Sequence, residues 1–166
     1  MSILRFLGIS DIHYHEPLAI NKIIDFLDRE KIELVVVSGD LTTFGNAKAV
    51  KKVLTELNQI NKQIFYIQGN MDSKDSGDFS FENIIPLHGR AYNFAGYNFV
   101  GIGGSTKTPV FTPYTMSEIT LKNLLEEAIK KVDNKEPIIL VSHNPPLNSD
   151  ADKLTNGKHV GSSDIV

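Results

Sequence analysis

The N-terminal part of the chain alternates between short apolar runs and longer segments in which apolar residues recur at helical spacing. Apolar runs at residues 3–9, 34–37 and 64–67 predict strands, and the spacing of the apolar residues at 20–27 and 50–57 predicts helices between them. The run at 34–37 is apolar at every position, as in a strand covered on both faces. Repeats of about thirty residues have the length of βαβ units, so this pattern predicts a parallel sheet.

The middle of the chain has a different pattern. Two short segments, 91–94 and 98–102, flank the turn candidate Gly96 and predict a β-hairpin. A segment rich in proline, threonine and glycine follows at 103–115 and predicts a loop. The connection from the hairpin to the rest of the chain is therefore expected to be long and irregular.

A third helix and a further strand are predicted after this loop. Ser117 is the candidate N-cap of the helix, and Lys130 and Lys131 suit its last turn because cations are favourable at a helix C-terminus. The apolar run at 138–141 predicts another buried strand. No repeat or linker divides the sequence, so residues 1–166 are expected to form one α/β domain.

Composition narrows the functional classes. The chain has 166 residues, no cysteine and a formal net charge of -3. Without cysteine neither a disulfide nor a thiolate metal site can form, and this favours a cytoplasmic location. The small negative charge gives no general attraction to nucleic acid or to anionic lipid, and no apolar run approaches the length of a membrane span. Neither a membrane nor nucleic acid is therefore expected as a partner.

Polar side chains that can bind metal ions follow four of the predicted strands. They are Asp11 and His13 after the first strand, Asp40 after the second, Asn70 after the third and His143 after the strand at 138–141. Ligands of open α/β sheets bind beyond the carboxyl ends of the strands, so the five side chains are expected at one edge. Aspartate and asparagine at such places also form ordinary turns. Taken together, two aspartates, two histidines and one asparagine suit a hard or borderline divalent metal ion.

The order of these motifs resembles the calcineurin-like metallophosphoesterase superfamily. The matching strings are DIH at 11–13, GD at 39–40, GN at 69–70 and SH at 142–143. Further strings, LHGR at 87–90, FVGIGGST at 99–106, SHNPP at 142–146 and GKHVGS at 157–162, are similar to the Icc-related predicted phosphoesterases of archaea. The resemblance implies a β-sandwich of mixed sheets flanked by helices, with a two-metal centre at one end.

The resemblance also implies a role for each of these residues. Asp11 and His13 would bind one metal ion, Asn70 and His143 the other, and Asp40 would bridge both. The cofactors would be two divalent metal ions, drawn from Mn, Fe, Zn and Ni. Such a pair polarises the phosphoryl oxygens and supplies a bridging hydroxide for in-line attack on phosphorus.

One position departs from the superfamily. In many members the residue after the metal-binding asparagine is a histidine that is thought to protonate the leaving oxygen or to stabilise the transition state, and here it is Met71. Asp72 keeps the acidic position that follows and is expected to support the site from behind. The resemblance places His159 near the centre, so it joins Asp40 and His143 as a candidate catalytic residue. An ordinary loop histidine is the alternative.

The favoured function is phosphodiester hydrolysis on a small phosphorylated or nucleotide-like substrate. Because Met71 cannot donate a proton, activity on a broad range of phosphomonoesters is not expected. A non-catalytic binding or scaffold protein with the same fold is the alternative from a different class. Nuclease action has no support, because no basic surface with interleaved aromatic residues is evident.

The end of the sequence carries a further expectation. Ser162 or Ser163 is a candidate N-cap for a helix that begins there. The resemblance implies that this helix precedes a strand and a GHxH motif with one histidine for each metal ion, so the C-terminal part of the domain is expected to be missing and each ion to have three protein ligands. Missing strands would leave a sheet edge open to a second copy, and hence to a homo-oligomer. A frayed tail at 162–166 is the alternative.

Overall fold

The computed structural model describes residues 3–108, 111–132 and 135–165. Within these ranges the strands are β1 (Phe6–Ile9), β2 (Leu34–Ser38), β3 (Gln63–Ile67), β4 (Ile84–Pro86), β5 (Arg90–Phe94), β6 (Tyr97–Ile102) and β7 (Ile138–Ser142). The helices are α1 (Ile20–Arg29), α2 (Ala47–Leu57) and α3 (Glu118–Ile129), with single 3₁₀ turns at Lys74–Ser76 and Ser163–Ile165. No helix among the described residues is long and apolar enough to cross a membrane.

The first sheet contains β1, β2, β3 and β4 in that order, and all of its strand pairs are parallel. Successive side chains of β2 point to opposite faces because a strand has a period of two. Val35 and Val37 pack with the buried faces of α1 and α2, whereas Leu34 and Val36 pack toward the second sheet. Both the parallel sheet and the strand covered on two faces are therefore confirmed.

The second sheet contains β5, β6 and β7. β5 and β6 form the predicted antiparallel hairpin, and β7 joins β6 in parallel. The hairpin turn places Ala95 at φ 51 and Gly96 at φ 81, and two consecutive positive φ angles are the requirement of a two-residue type I′ turn.

The two sheets face each other across an aromatic core. Phe65 of β3 contacts Phe99 of β6, with ring centroids 5.3 Å apart, and its ring also meets Phe94 at 6.1 Å. On the outer side of the second sheet, α3 packs against β5 and β6 with Leu121 buried. The layers are therefore helices, sheet, sheet and helix, which confirms the expected β-sandwich flanked by helices.

Three predicted elements differ from the observed ones. β7 is not fully buried: Ile138 is 44% exposed and Leu140 is 38% exposed, because β7 pairs with β6 alone among the described strands. β1 begins at Phe6 rather than at residue 3. The helix expected at the end of the sequence is a single 3₁₀ turn, in which the Ser162 hydroxyl accepts the Asp164 amide at 3.2 Å. Residues 109 and 110 of the predicted loop, and residue 166 of that helix, lie outside the described residues.

Candidate metal centre

The loops after β1 and β2 run side by side beyond the ends of their strands. The Asp11 amide donates to the Gly39 carbonyl at 3.1 Å, and the His13 amide donates to the Asp40 carbonyl at 2.9 Å. These bonds continue the parallel pairing of β1 with β2 past the edge of the sheet. Asp11, His13 and Asp40 are thereby fixed as neighbours by backbone hydrogen bonds.

These three residues all adopt left-handed backbone angles. Their φ values are 55 for Asp11, 43 for His13 and 50 for Asp40. Such angles are uncommon outside glycine, although Asp, Asn and His adopt them more readily than other residues, and they concentrate at functional sites. With these angles, the loops after β1 and β2 direct the three polar side chains toward one point.

The side chains of the three residues form a cluster suited to one metal ion. One ligand atom from each lies within 4.8 Å of the others. His13 Nε2 is 3.7 Å from Asp11 Oδ1 and 3.8 Å from Asp40 Oδ2, both too long for hydrogen bonds. Ligand atoms that each lie about 2.0–2.2 Å from the same ion are roughly 3–4 Å apart, so this spacing fits a shared cation. His13 Nδ1 lies 3.0 Å from the Thr43 hydroxyl, which orients the ring.

His143 and Asn70 lie on the other side of Asp40. His143 Nδ1 is 2.9 Å from the Ser38 carbonyl, which can only accept, so Nδ1 carries the proton. In the neutral ring Nε2 then presents a lone pair to Asn70 Oδ1, which is 2.9 Å away. Two facing acceptors need a proton, a reversed amide or a cation between them. A histidine that donates its other N–H to a backbone carbonyl is the usual form of a metal ligand.

Asp40 joins the two halves of the cluster. Its side chain is only 6% exposed, and its two oxygens face different histidines: Oδ2 is 3.8 Å from His13 Nε2 and Oδ1 is 3.4 Å from His143 Nε2. Burial raises the pKa of this carboxyl, although an amide hydrogen bond from Met71 and the charge of His143 oppose the change. A buried carboxylate in this position is suited to bind a positive ion.

Two glycines allow the strand ends to approach this closely. A Cβ on Gly69 would overlap both the amide nitrogen and the carboxylate of Asp40. A Cβ on Gly39, which has φ 102, would lie 2.6 Å from His143 Nδ1 and 2.7 Å from the Gly69 Cα. Close contact of backbone with backbone and with ligand side chains therefore requires glycine at both positions.

Asp72 supports the centre from behind. Its carboxylate is fully buried and accepts four hydrogen bonds: the Leu41 amide at 3.1 Å and the Gly69 amide at 2.9 Å reach Oδ2, and the amide and hydroxyl of Thr42, both at 2.8 Å, reach Oδ1. Asp72 thus ties the loop after β2 to the loop after β3. We call this arrangement the Asp72 clamp. Met71, half-buried beside it, contributes through its backbone by donating its amide to Asp40 Oδ1 at 2.9 Å.

His88 is a partly buried side chain that supports the loop before α3. Its Nδ1 accepts the Gly103 amide at 2.9 Å, so the neutral ring carries its proton on Nε2, which is 2.7 Å from the Tyr114 hydroxyl. Burial lowers the pKa of His88, and the charge of Arg90 adds to this effect. The Tyr114 amide in turn donates to the Asn70 carbonyl at 3.0 Å. The loop before α3 is therefore fixed to the backbone that carries Asn70.

The His159 side chain is held in place by the carboxylate of Asp152. Its Nδ1 lies 2.6 Å from Oδ1 of Asp152, whose Oδ2 accepts the amides of Asn148 and Gly161. Burial opposes ionisation of Asp152, but the hydrogen bonds from His159, Gly161 and Asn148 outweigh it and lower the pKa of the carboxyl. His159 lines a cavity of about 550 Å³ beside the N-terminus of α3.

The structure thus joins Asp11, His13, Asp40, Asn70 and His143 in one chain of contacts, whereas His159 lies outside it, in the cavity beside the N-terminus of α3. The supporting roles of Ser38, Thr43 and Asp152 were not found from the sequence. For Ser38 and Thr43 the only signal was their place beside Asp40 at the end of an apolar strand. Asp152 gave no signal, because its contact with His159 depends on how the loop folds.

Comparison with known proteins gives consistent results. Residues 4–164 match the sequence profile of the family described as calcineurin-like phosphoesterase. An uncharacterized protein of Methanocaldococcus jannaschii is 36% identical over 164 residues, which cover 98% of this chain and 71% of that protein. An uncharacterized metallophosphoesterase of Helicobacter pylori strain J99 is 25% identical over 149 residues, which cover 86% of this chain and 39% of that protein.

Solved structures share the fold. One crystal structure aligns with a TM-score of 0.76 at 14% identity, over 96% of this chain and 77% of that chain. A dimetal phosphatase from Danio rerio aligns with a TM-score of 0.50 at 16% identity, over 86% of this chain and 70% of that chain. At these identities the likeness establishes the architecture alone.

Proposed function

The chain belongs to the calcineurin-like phosphoesterase family, and from that premise we propose that it hydrolyses phosphodiester bonds at a centre of two divalent metal ions. Its class, a metal-dependent phosphoesterase, follows from the family. The preference for diesters, the pair of ions and a small or nucleotide-like substrate are our proposal. We expect the ions to be drawn from Mn, Fe, Zn and Ni, which suit a mixed set of imidazole and oxygen ligands.

One observation carries the proposal of two ions. Asp40 turns one oxygen toward His13 and the other toward His143, and the two histidines belong to different groups of potential ligands. Asp11 and His13 would hold one ion with Asp40 Oδ2, whereas Asn70 and His143 would hold the other with Asp40 Oδ1. A shared carboxylate also reduces the repulsion between two cations.

The bound ions would polarise the phosphoryl oxygens and activate water for attack on phosphorus. The residues of the chain position these ions and control protons. His13 and His143 each anchor one ring nitrogen through Thr43 or the Ser38 carbonyl, so that Nε2 stays directed at Asp40. The Asp72 clamp holds the loops that carry Asp40 and Asn70 at a fixed separation.

Residue 71 is a methionine and so cannot donate a proton to the leaving group. This supports a preference for substrates whose leaving group departs without such a donor. A methionine thioether cannot hold or transfer a proton at neutral pH. We propose that His159, whose Nδ1 is oriented by Asp152, contacts the substrate rather than a metal ion, since its ring lines the cavity beside the N-terminus of α3. The same methionine is the observation that favours the alternative function, a non-catalytic protein that binds phosphate esters without turnover.

The proposal is tested with bis(p-nitrophenyl) phosphate as substrate and added Mn²⁺, together with elemental analysis of the protein. Wild type should bind two ions and release nitrophenol. Asp40→Asn should lose metal and turnover together, because it removes the charge that both ions share. Asp25→Asn, an exposed carboxylate on α1, is the matched control and should retain both.

Two results would contradict the proposal in different ways. Wild-type protein with two bound ions and turnover no faster than buffer would favour the non-catalytic alternative. Metal content that is equal in Asp40→Asn and wild type would exclude Asp40 as the shared ligand.

A further inference from the structure

The cavity beside the N-terminus of α3 is separate from the metal centre. It has a volume of about 550 Å³, and none of the five proposed metal ligands lines it. Its walls come from three segments that lie far apart in the sequence: residues 106–108, residues 116–118 and residues 158–161. A pocket of this size is large enough for a small organic molecule or for part of one.

The ionisable side chains of the cavity favour an anion. Lys107 and Lys158 are exposed, and neither forms an ion pair within the part of the chain that the structure describes. The one acid in the walls is Glu118, whose Oε2 accepts the Ser162 hydroxyl at 2.5 Å. With His159 neutral, the lining side chains carry a net charge of +1, from two lysines and one glutamate.

His159 adds a directed contact. Because Nδ1 is bound to the buried carboxylate of Asp152, the opposite edge of the ring, with Nε2, faces away from that acid. The ring is about one-third exposed on the cavity side. The ring therefore presents a polar edge of fixed orientation to the cavity, beside the two lysines.

The cavity is connected to the metal centre by short structural links. The Thr106 hydroxyl accepts the side-chain amide of Asn144 at 3.4 Å, and Asn144 directly follows His143. On the same wall the Met116 amide donates to Ser105, and the Ser105 amide donates to the Tyr114 carbonyl. The Tyr114 amide in turn donates a hydrogen bond to the Asn70 carbonyl. The walls of the cavity are therefore fixed to the backbone that carries Asn70 and His143.

We propose that this cavity binds a second anionic group of the substrate, while the reacting phosphodiester lies at the metal centre. The substrate is then a phosphodiester with a further phosphate or carboxylate, as in a nucleotide-like molecule. The location of the reacting group rests on the proposed function. The binding of an anion by Lys107, Lys158 and His159 does not, because it requires neither metal nor turnover.

The first test uses inorganic phosphate as the probe and metal-free protein in EDTA. Amide chemical shifts in ¹H–¹⁵N NMR spectra should change at residues 106–108, 117–118 and 158–161 as phosphate is added. Lys158→Met and Lys107→Met should each weaken the apparent affinity about threefold or more, because each removes one charge from the pocket. Lys131→Met is the matched control, since Lys131 lies past the opposite end of α3, and its affinity should equal that of wild type.

The outcomes separate this proposal from the proposed function. Shifts at the cavity with loss in the Lys107 and Lys158 variants support the anion site, whether or not the protein is an active hydrolase. The proposal is overturned if the shifts centre on Asp11 and Asp40, if phosphate causes no shift, or if Lys131→Met loses as much affinity as Lys158→Met.

The second test links the site to the substrate. With an active Mn²⁺ enzyme, two nitrophenyl phosphodiesters are compared, one with and one without an additional phosphate on the second ester arm. Lys158→Met should raise KM for the first about threefold or more and leave KM for the second unchanged, with kcat altered for neither. Equal changes for the two diesters would overturn the assignment of the cavity to the substrate.

Discussion

The substitution Asp72→Asn tests whether the Asp72 clamp holds the candidate centre together. Asparagine keeps the shape of the side chain but replaces one acceptor oxygen with an NH₂ group, which is a donor. If this group faced the Leu41 and Gly69 amides, two buried donors would lose their acceptor. We therefore expect it to face Thr42, whose hydroxyl can rotate to accept, so that the Thr42 amide alone is left without a partner.

The magnitude follows from these contacts. A buried donor without an acceptor costs about 1–3 kcal/mol, and the hydrogen bonds that remain weaken because their acceptor is no longer charged. We expect Asp72→Asn to lower the free energy of unfolding by about 2–4 kcal/mol, a large share of the roughly 5–15 kcal/mol of a typical domain. Because the clamp sets the distance between the loops of Asp40 and Asn70, metal affinity should fall as well.

The measurement is urea unfolding of EDTA-treated protein, because a metal that binds only the native state would add its own stabilisation. Asp25→Asn controls for the loss of one negative charge at an exposed place and should stay within about 0.5 kcal/mol of wild type. If the free energy of unfolding of Asp72→Asn also stays within about 0.5 kcal/mol of wild type, the Asp72 clamp is not the element that holds the two loops.

Three further predictions concern single residues. Met71→His should raise the turnover of monoesters with poor leaving groups, since general acid catalysis typically contributes about 10²–10⁴-fold; an unchanged ratio of monoester to diester turnover would argue against a missing proton donor. Gly69→Ala should destabilise the protein by about 1–3 kcal/mol and lower its metal content, because the added Cβ overlaps Asp40, whereas Gly8→Ala, where a Cβ meets nothing within 4 Å, should leave the metal content unchanged. His88→Gln should flatten the dependence of stability on pH below about pH 6.5, the ordinary pKa of histidine, because burial lowers the pKa of native His88, so that stability is full above the unfolded-state pKa and declines below it; urea unfolding across that range would show an equal slope in both proteins if His88 were not responsible.

Much of the fold could be predicted because its signals are local. β2 and β3 are continuous apolar runs, and the polar residues that follow them belong to the same short segments. Ser117 caps α3 as expected, with its hydroxyl accepting the Thr120 amide at 3.1 Å. Where a strand or helix and its end signal lie within a few residues, the sequence pattern was sufficient.

The rest depends on contacts between distant segments. β4 has three residues and includes Pro86, so no periodic pattern could reveal it, and it exists by pairing with β3. The apolar run of β7 predicted burial, yet among the described strands it pairs with β6 alone, and this leaves alternate side chains exposed. The left-handed angles of Asp11 and Asp40 and the approach of Asp152 to His159 are likewise set by loop packing, which sequence spacing does not encode.

The hydrogen bond between His143 and the Ser38 carbonyl joins residues that are 105 positions apart in the chain. A ribosome that adds roughly 5–20 residues per second needs about 5–20 s to travel from residue 38 to residue 143. During that interval Asp11, His13 and Asp40 have already been synthesised, whereas Asn70 still lacks its histidine. The candidate ligands are therefore synthesised in order, and the group with two carboxylates and one imidazole is complete before His143 is added.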